Sequence, residues 1–211
     1  MYTLYYSPGA ASLAVHLALL EVGAAYKLEK VDIEAGAQRD PNYLKLNPNG
    51  VVPAMLIDGK PFYEAAGLLM TIADRHPQAG LAPALDSLER AAWNQWIMHL
   101  TNTVQAAFRL WFYPQDIDSA AEAQALTKAA ARSKIEAAWT RLDAQLAANG
   151  PYLLGSTFSA ADLMLLMLMR WSRNMPKPAT EWAALREFAA KMKARPSWAR
   201  LYEIEGLTEW A

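Results

Sequence analysis

Three stretches carry groups suited to holding an anionic, peptide-like ligand. The first, Tyr5-Tyr6-Ser7-Pro8-Gly9-Ala10-Ala11-Ser12, places two phenols and two serine hydroxyls in and before a turn. A hydroxyl beside a helix N-terminus stabilises an anion, because unpaired N–H groups and the positive end of the helix dipole lie there. Ser12 stands at the expected helix start and has a plain capping role as its alternative. Ser7 precedes a proline, where turn capping is the ordinary role. Tyr5 and Tyr6 alternate across a strand, so at most one of them faces such a site. The second stretch is Asn47-Pro48-Asn49-Gly50-Val51-Val52-Pro53, a loop running into the apolar Ala54-Met55-Leu56-Ile57. An open backbone edge at Val52 would pair with an extended peptide. On the residues alone, a trans Val52–Pro53 bond in an ordinary turn is the simpler reading. The third is Glu64-Ala65-Ala66, opening a helix. Its free N–H groups suit a carboxylate ligand; alternatively, Glu64 is only a first-turn acid favoured by the dipole.

The elements that must position these groups follow from periodicity and punctuation. Residues 3–6 read as a strand, 10–20 as a helix apolar on nearly all sides and stopped by Gly23, and 26–31 as a second strand. A helix joining two consecutive strands makes a parallel βαβ unit. Asp40-Pro41 opens a short helix ending near Asn47. Asp58-Gly59 is a hairpin turn between two short strands. Residues 64–76 form a helix that Pro77 stops. The rest reads as helices at 87–112, 120–149, about 159–171, about 180–193 and 196–202. Ser159 and Asp162 fit a capping box. The domains expected are 1–78, a linker at 79–86, and 87–211.

This order of strands and helices, with Asn-Pro-x-Gly-x-Val-Pro before the third strand, resembles the glutathione transferase family. The opening Tyr5-to-His16 segment is most similar to the bacterial beta class. The resemblance spans the whole chain. It implies an α/β thioredoxin-like N-terminal domain (βαβ-α-ββα) followed by an all-α domain. It also implies that Pro53 is cis, with Val52 pairing the cysteinyl backbone of glutathione. Glu64 and Ala65 then grip the γ-glutamyl end, although Ala65 replaces the family's serine and removes one donor. Gln38 reaches the glycyl carboxylate.

The beta-class cysteine falls on Ala11, so a hydroxyl must take over the thiol; Ser12, Ser7, Tyr6 and Tyr5 are the candidates. The class's histidine falls at Gln105 and its lysine near residues 35–37. Phe108, Arg109 and Phe112, with Trp111 and Tyr113, line an apolar pocket for the second substrate, or are simply core.

Composition narrows the classes further. Twenty Lys and Arg against 21 Asp and Glu give a formal charge of −1, with no basic excess for nucleic acid or an anionic membrane. The chain has no cysteine, which excludes disulfides, thiolate metal sites and a cysteine nucleophile. His16, His76 and His99 show no metal-ligand spacing, so no metal is expected. With no apolar run long enough to span a bilayer and no signal-peptide layout at the start, the expectation is a cytoplasmic homodimer. Its activity would be conjugation of glutathione to a hydrophobic electrophile. A glutathione-dependent reductase or dehalogenase, and a non-catalytic binding or regulatory protein, are the alternatives.

Overall fold

The structure, a computed structural model, describes residues 1–210. By its contacts the chain divides into two compact units. One comprises Met1–Ala82 together with the C-terminal segment from Lys193; the other is Pro83–Met192.

The first unit holds a four-stranded sheet in the order β2-β1-β3-β4, built from β1 (Tyr2–Tyr6), β2 (Tyr26–Lys30), β3 (Ala54–Ile57) and β4 (Lys60–Tyr63). β1 runs parallel to β2 and antiparallel to β3, and β3 pairs antiparallel with β4. The sheet is therefore mixed, as the sequence predicts. The Asp58-Gly59 turn has both residues at positive φ, 52° and 83°, the conformation a two-residue hairpin needs. Helix α1 (Ser12–Glu21) follows β1, and its residues Ser12–Leu19 are all buried. Helix α2 (Pro41–Leu44) is a single turn capped by the Asp40 carboxylate, which accepts the Asn42 N–H. It is shorter than the sequence suggests, because Lys45 and Leu46 pass into the proline loop. Helix α3 (Ala65–Arg75) buries Ala65, Ala66, Leu68, Leu69, Ile72 and Ala73.

In the second unit α4 (Leu88–His99) and α5 (Ala106–Phe112) are joined by a π-helical segment, Leu100–Gln105, where the sequence pattern suggests one regular helix. α6 (Ala121–Asn149) is the longest helix. α7 (Ala160–Trp171) is buried from Ala160 through Arg170, so a helix that is apolar on every side is indeed central. Trp93, Phe108 and Trp139 are fully buried there too.

Helices α8 (Ala183–Lys193) and α9 (Pro196–Glu205) close the chain. The sequence groups everything from residue 87 onward in one domain. The contacts instead group the segment from Lys193 with the first unit, because α9 packs on α1. That packing is fastened by Arg195, whose Nε and Nη2 donate to Glu21 at 2.8 and 2.7 Å, and by the Ser197 hydroxyl on the same carboxylate. Burial raises the Glu21 pKa, but Arg195 and Ser197 outweigh it and hold the carboxyl below its ordinary value. The pair's stabilisation is therefore present above about pH 4.3, the unfolded value, and is lost as pH falls through the depressed folded value. Glu21→Ala should cost about 1–2 kcal/mol at pH 7, since it removes the acceptor of three hydrogen bonds, two from the Arg195 guanidinium and one from the Ser197 hydroxyl. The difference from the parent, read by urea denaturation, should shrink below pH 4.

Candidate active site

Three loops of the first unit converge on a small apolar cluster at one end of the sheet. Val31, Tyr43, Val52 and Ala54 form its centre, and Tyr5, Ala10, Ile33, Ala37 and Leu46 pack against it. Ala10 belongs to the turn before α1, Val52 to the proline loop, and Ala37 to the turn after β2. The first two candidate ligand-binding stretches, and the turn next to Gln38, are thus neighbours.

The proline loop is pinned from inside. The Asn47 amide donates to Val51 O at 2.7 Å and to Pro53 O at 3.4 Å, while its Oδ1 accepts the Asn49 N–H at 3.1 Å. The Tyr43 hydroxyl also donates to Val51 O, at 2.8 Å. Gly50, at φ 59°, lies against Arg39; a Cβ there would fall 2.7 Å from the guanidinium and 3.2 Å from Gln38 O. Val52–Pro53 is cis. Among the described residues, neither the N–H nor the C=O of Val52 has a hydrogen-bond partner. These groups lie in the loop just before β3, ahead of Ala54, its first paired residue, and an extended peptide backbone can pair with them.

Glu64 precedes α3 with φ 75° and ψ 107°, a conformation costing a non-glycine residue on the order of 1–3 kcal/mol. The N–H groups of Ala65, Ala66 and Gly67 have no acceptor among the described residues, so this end can take a carboxylate. Gln38 is half-buried, and its Oε1 is buried without a partner. Arg39, not singled out by the sequence, places a cation beside Gly50.

Ahead of α1 the hydroxyls divide their work. Ser12 Oγ donates to Ser7 O at 3.1 Å and accepts the Ser7 N–H at 3.2 Å, and Ser12 is fully buried. Its proton is spent inside the protein, which favours the bracing role over that of a ligand donor. Ser7 is buried to 6% exposure and its hydroxyl is not tied in this way. Tyr6 lies on the opposite sheet face from Tyr5, its ring 6.2 Å from that of His16. Burial, and then the charge of Glu205, push the Tyr6 phenol above its ordinary pKa, so it stays protonated at neutral pH. The N–H groups of Ala11 and Ser12 have no acceptor among the described residues. They and the helix dipole form a small anion-binding corner that needs no side chain.

The residues expected to line a second-substrate pocket lie on the second unit. Phe108 is a correction to that expectation. It is fully buried, stacked on Phe112 at 5.7 Å and packed against Trp139 and Trp171. Its place is the helical core, because the α5 stripe turns inward there. Phe112 remains 44% exposed. Arg109 is exposed, paired with Asp116, and its guanidinium lies 4.2 Å from the Tyr113 ring centre. Gln105 ends the π-helical segment and is half-buried. Among the described residues no group of three or more His, Asp and Glu side chains is placed to hold a metal ion.

A four-stranded mixed sheet with a cis-proline loop before its third strand, followed by an all-helical region, is the thioredoxin-like architecture of a glutathione-binding protein class. Residues 1–66 match the family model "Glutathione S-transferase, N-terminal domain", and residues 120–203 match "Glutathione S-transferase, C-terminal domain". Glutathione S-transferase GST-4.5 of Xanthomonas campestris pv. campestris is 32% identical over 211 residues, covering 97% of this chain and 98% of the relative. The crystal structure of a glutathione transferase homologue from Sulfitobacter, with bound glutathione, superposes with TM-score 0.90 at 29% identity over 99% of both chains. A beta-class glutathione S-transferase from Sphingomonas chungbukensis gives 0.85 at 33% identity, over 98% of this chain and 100% of the other. The chain belongs to the glutathione S-transferase family.

Proposed function

We propose that the protein conjugates the thiolate of glutathione to a hydrophobic electrophile. The observation that carries this reading is the open backbone of Val52, set in the same apolar cluster as Ala10. A tripeptide paired with Val52 through its cysteinyl residue would bring its sulfur toward the turn before α1. Val52 and Pro53 form the pairing edge. Glu64 and the Ala65 N–H hold the γ-glutamyl end at the start of α3, and Gln38 reaches toward the glycyl end.

A thiol with a reference pKa of about 8.5 is mostly protonated at neutral pH. Placing it against the N–H groups of Ala11 and Ser12 lowers that value and populates the nucleophile. Ser7 and the Tyr6 phenol are the side-chain hydroxyls left to assist. Ser12 holds the turn in shape. The sulfur then attacks an electrophilic carbon and a leaving group departs. Gln105, Arg109 and Phe112 are assigned to the electrophile's side, and no metal enters the step. The same reading makes the protein a cytoplasmic homodimer.

Calorimetric titration of glutathione tests the binding half of this proposal. A Kd below about 1 mM, roughly −4 kcal/mol or better, is expected. No heat at several millimolar would overturn it. Turnover is tested with an activated aryl chloride by following thioether formation. Ala65 lacks the hydroxyl that would donate to the ligand's carboxylate, and such a bond to a charged group contributes about 1.5–3 kcal/mol. Ala65→Ser should therefore tighten glutathione binding about ten-fold, measured in the same calorimeter.

A further inference from the structure

The second unit carries a cleft of about 300 Å³ between the C-terminal end of α6 and α8. Its floor is apolar: Leu146 and Phe188 line it and are only 6% and 2% exposed. Ala147 and Pro151 stand on one side, and Glu187 and Lys191, one turn apart on α8, on the other; all four are exposed. The walls are fixed. Asp143 Oδ1, on α6, accepts the N–H groups of Ala184 and Leu185 at 2.8 and 3.1 Å, and the Trp182 indole donates to the Thr140 hydroxyl at 3.1 Å. The Gln145 amide donates to Leu153 O at 3.2 Å and ties the turn after α6 back to that helix. The cleft is therefore preformed. Its volume lies at the low end of the range for ligand sites, about 300–1,000 Å³, so it suits a small molecule.

Two opposite charges border this cleft, and neither is spent on the protein. Among the described residues the Glu187 carboxylate has no hydrogen bond or ion pair. Lys191 has no ion pair either; its Nζ lies 5.9 Å from the Tyr152 ring centre. α6 ends here with no basic residue in its last turn. The Ala147 carbonyl lacks its ordinary helical donor, because Pro151, four residues on, has no N–H. Glu187 and the negative end of the helix dipole thus favour an ammonium, and Lys191 favours a carboxylate beside it. A ligand with only one of these charges would meet a like charge in the cleft. We propose that the cleft binds a free α-amino acid with an apolar side chain. Its ammonium meets Glu187 and the end of α6, its carboxylate meets Lys191, and its side chain lies on Leu146 and Phe188. In a free amino acid both charges sit on one carbon, which suits two side chains leaving one helix face a single turn apart. A peptide would carry its two ends further from each other. This inference is independent of the conjugation reading, whose glutathione contacts all lie in the first unit.

The test is calorimetric titration with L-phenylalanine as the probe, beside phenethylamine, which lacks the carboxylate, and 3-phenylpropionate, which lacks the ammonium. Phenylalanine should saturate with a Kd of about 1 mM, and each analogue should bind at least about three-fold more weakly. Glu187→Gln should weaken phenylalanine about three-fold and should not weaken 3-phenylpropionate. Lys191→Gln should weaken phenylalanine by a similar factor and should not weaken phenethylamine. Ala147→Phe fills the cleft from its exposed side and should weaken phenylalanine at least about ten-fold. The three substituted residues are exposed, so the variants should keep the parent's Tm.

No saturation by phenylalanine at about 20 mM overturns the proposal. An affinity unchanged in folded Ala147→Phe places the amino acid elsewhere on the protein and overturns it equally. If that variant does not fold, an affinity unchanged in both Glu187→Gln and Lys191→Gln does the same. Phenethylamine binding as tightly as phenylalanine would mean that the cleft reads a cation alone, and would overturn the assignment to an amino acid.

Discussion

Asp162→Ala should destabilise the protein by about 4 kcal/mol, the largest single effect expected outside the hydrophobic core. The Asp162 Oδ1 accepts the Leu153 N–H at 2.9 Å, and its Oδ2 accepts the Ser159 N–H at 2.8 Å and the Ser159 hydroxyl at 3.1 Å. The box thus joins the start of α7 to the turn after α6. Alanine would leave two backbone N–H groups without acceptors inside the second unit, each at about 1–3 kcal/mol, and remove the helix cap.

The same carboxyl gives a pH signature. Burial pushes its pKa up to about 6, against the opposing effect of its three donors. The folded value thus exceeds the unfolded one, about 3.9, so the folded state binds the proton more tightly. The group's stabilising contribution is fully present below about pH 4 and is lost as pH rises through 6. The difference across that window is on the order of 3 kcal/mol. Asp162→Asn cannot titrate, so its urea midpoint should lack this component of the pH 4–7 dependence. Its single amide oxygen can serve one side of the box only, so it should still be less stable than the parent at pH 7. An alanine variant as stable as the parent would mean that water replaces the carboxylate there.

The elements that proved legible in the sequence are those whose cause is local. Asp58-Gly59 sets its own turn, Ser159 and Asp162 lie three residues apart, and Asn-Pro-x-Gly-x-Val-Pro carries its own hydrogen-bond partner in Asn47. The features that escaped depend on distant partners. Ser12 stands at a helix start, as its position predicts, yet only the folded turn reveals that its proton goes to Ser7 O. Phe108 shares a helical stripe with Phe112, and nothing in residue type distinguishes the buried ring from the half-exposed one. The π-helical Leu100–Gln105 segment has no compositional mark; it accompanies a Thr101 hydroxyl that bonds back to Ile97 O.

Glu205 was missed for a more tractable reason. The sequence reading ends the last helix at Tyr202, whereas α9 continues to Glu205 and stops at Gly206, at φ 66°. That glycine is an ordinary helix stop, and weighing it would have carried the helix one turn further. Its pairing with His16, 189 positions away, would still have remained invisible.

Ala11→Cys offers the most direct location of the sulfur. The chain contains no cysteine, so the new thiol would be the only one present. Ala11 sits at φ −63° and ψ −17° as the N-cap of α1, a backbone conformation that any L-residue adopts, and its own N–H is free. A thiol placed there feels the same helix end proposed to hold the sulfur of glutathione, and its pKa should fall toward 7 or below. At pH 7 its thiolate fraction would then exceed that of an exposed cysteine by about ten-fold, partly offset by weaker nucleophilicity at the lower pKa.

With glutathione disulfide the Cys thiolate attacks one sulfur, forming a mixed disulfide and releasing one glutathione thiolate. If the tripeptide also docks on Val52, binding adds to this advantage. Ala11→Cys should therefore be glutathionylated at least about ten-fold faster than Ala147→Cys, a surface control on α6, as followed by intact-mass spectrometry. S-methylglutathione should suppress the fast reaction and leave the control untouched. Equal rates at the two positions would move the thiol site away from the start of α1. They would also remove Ala11 and Ser12 from the mechanism, because both N–H groups are assigned their role by that location alone.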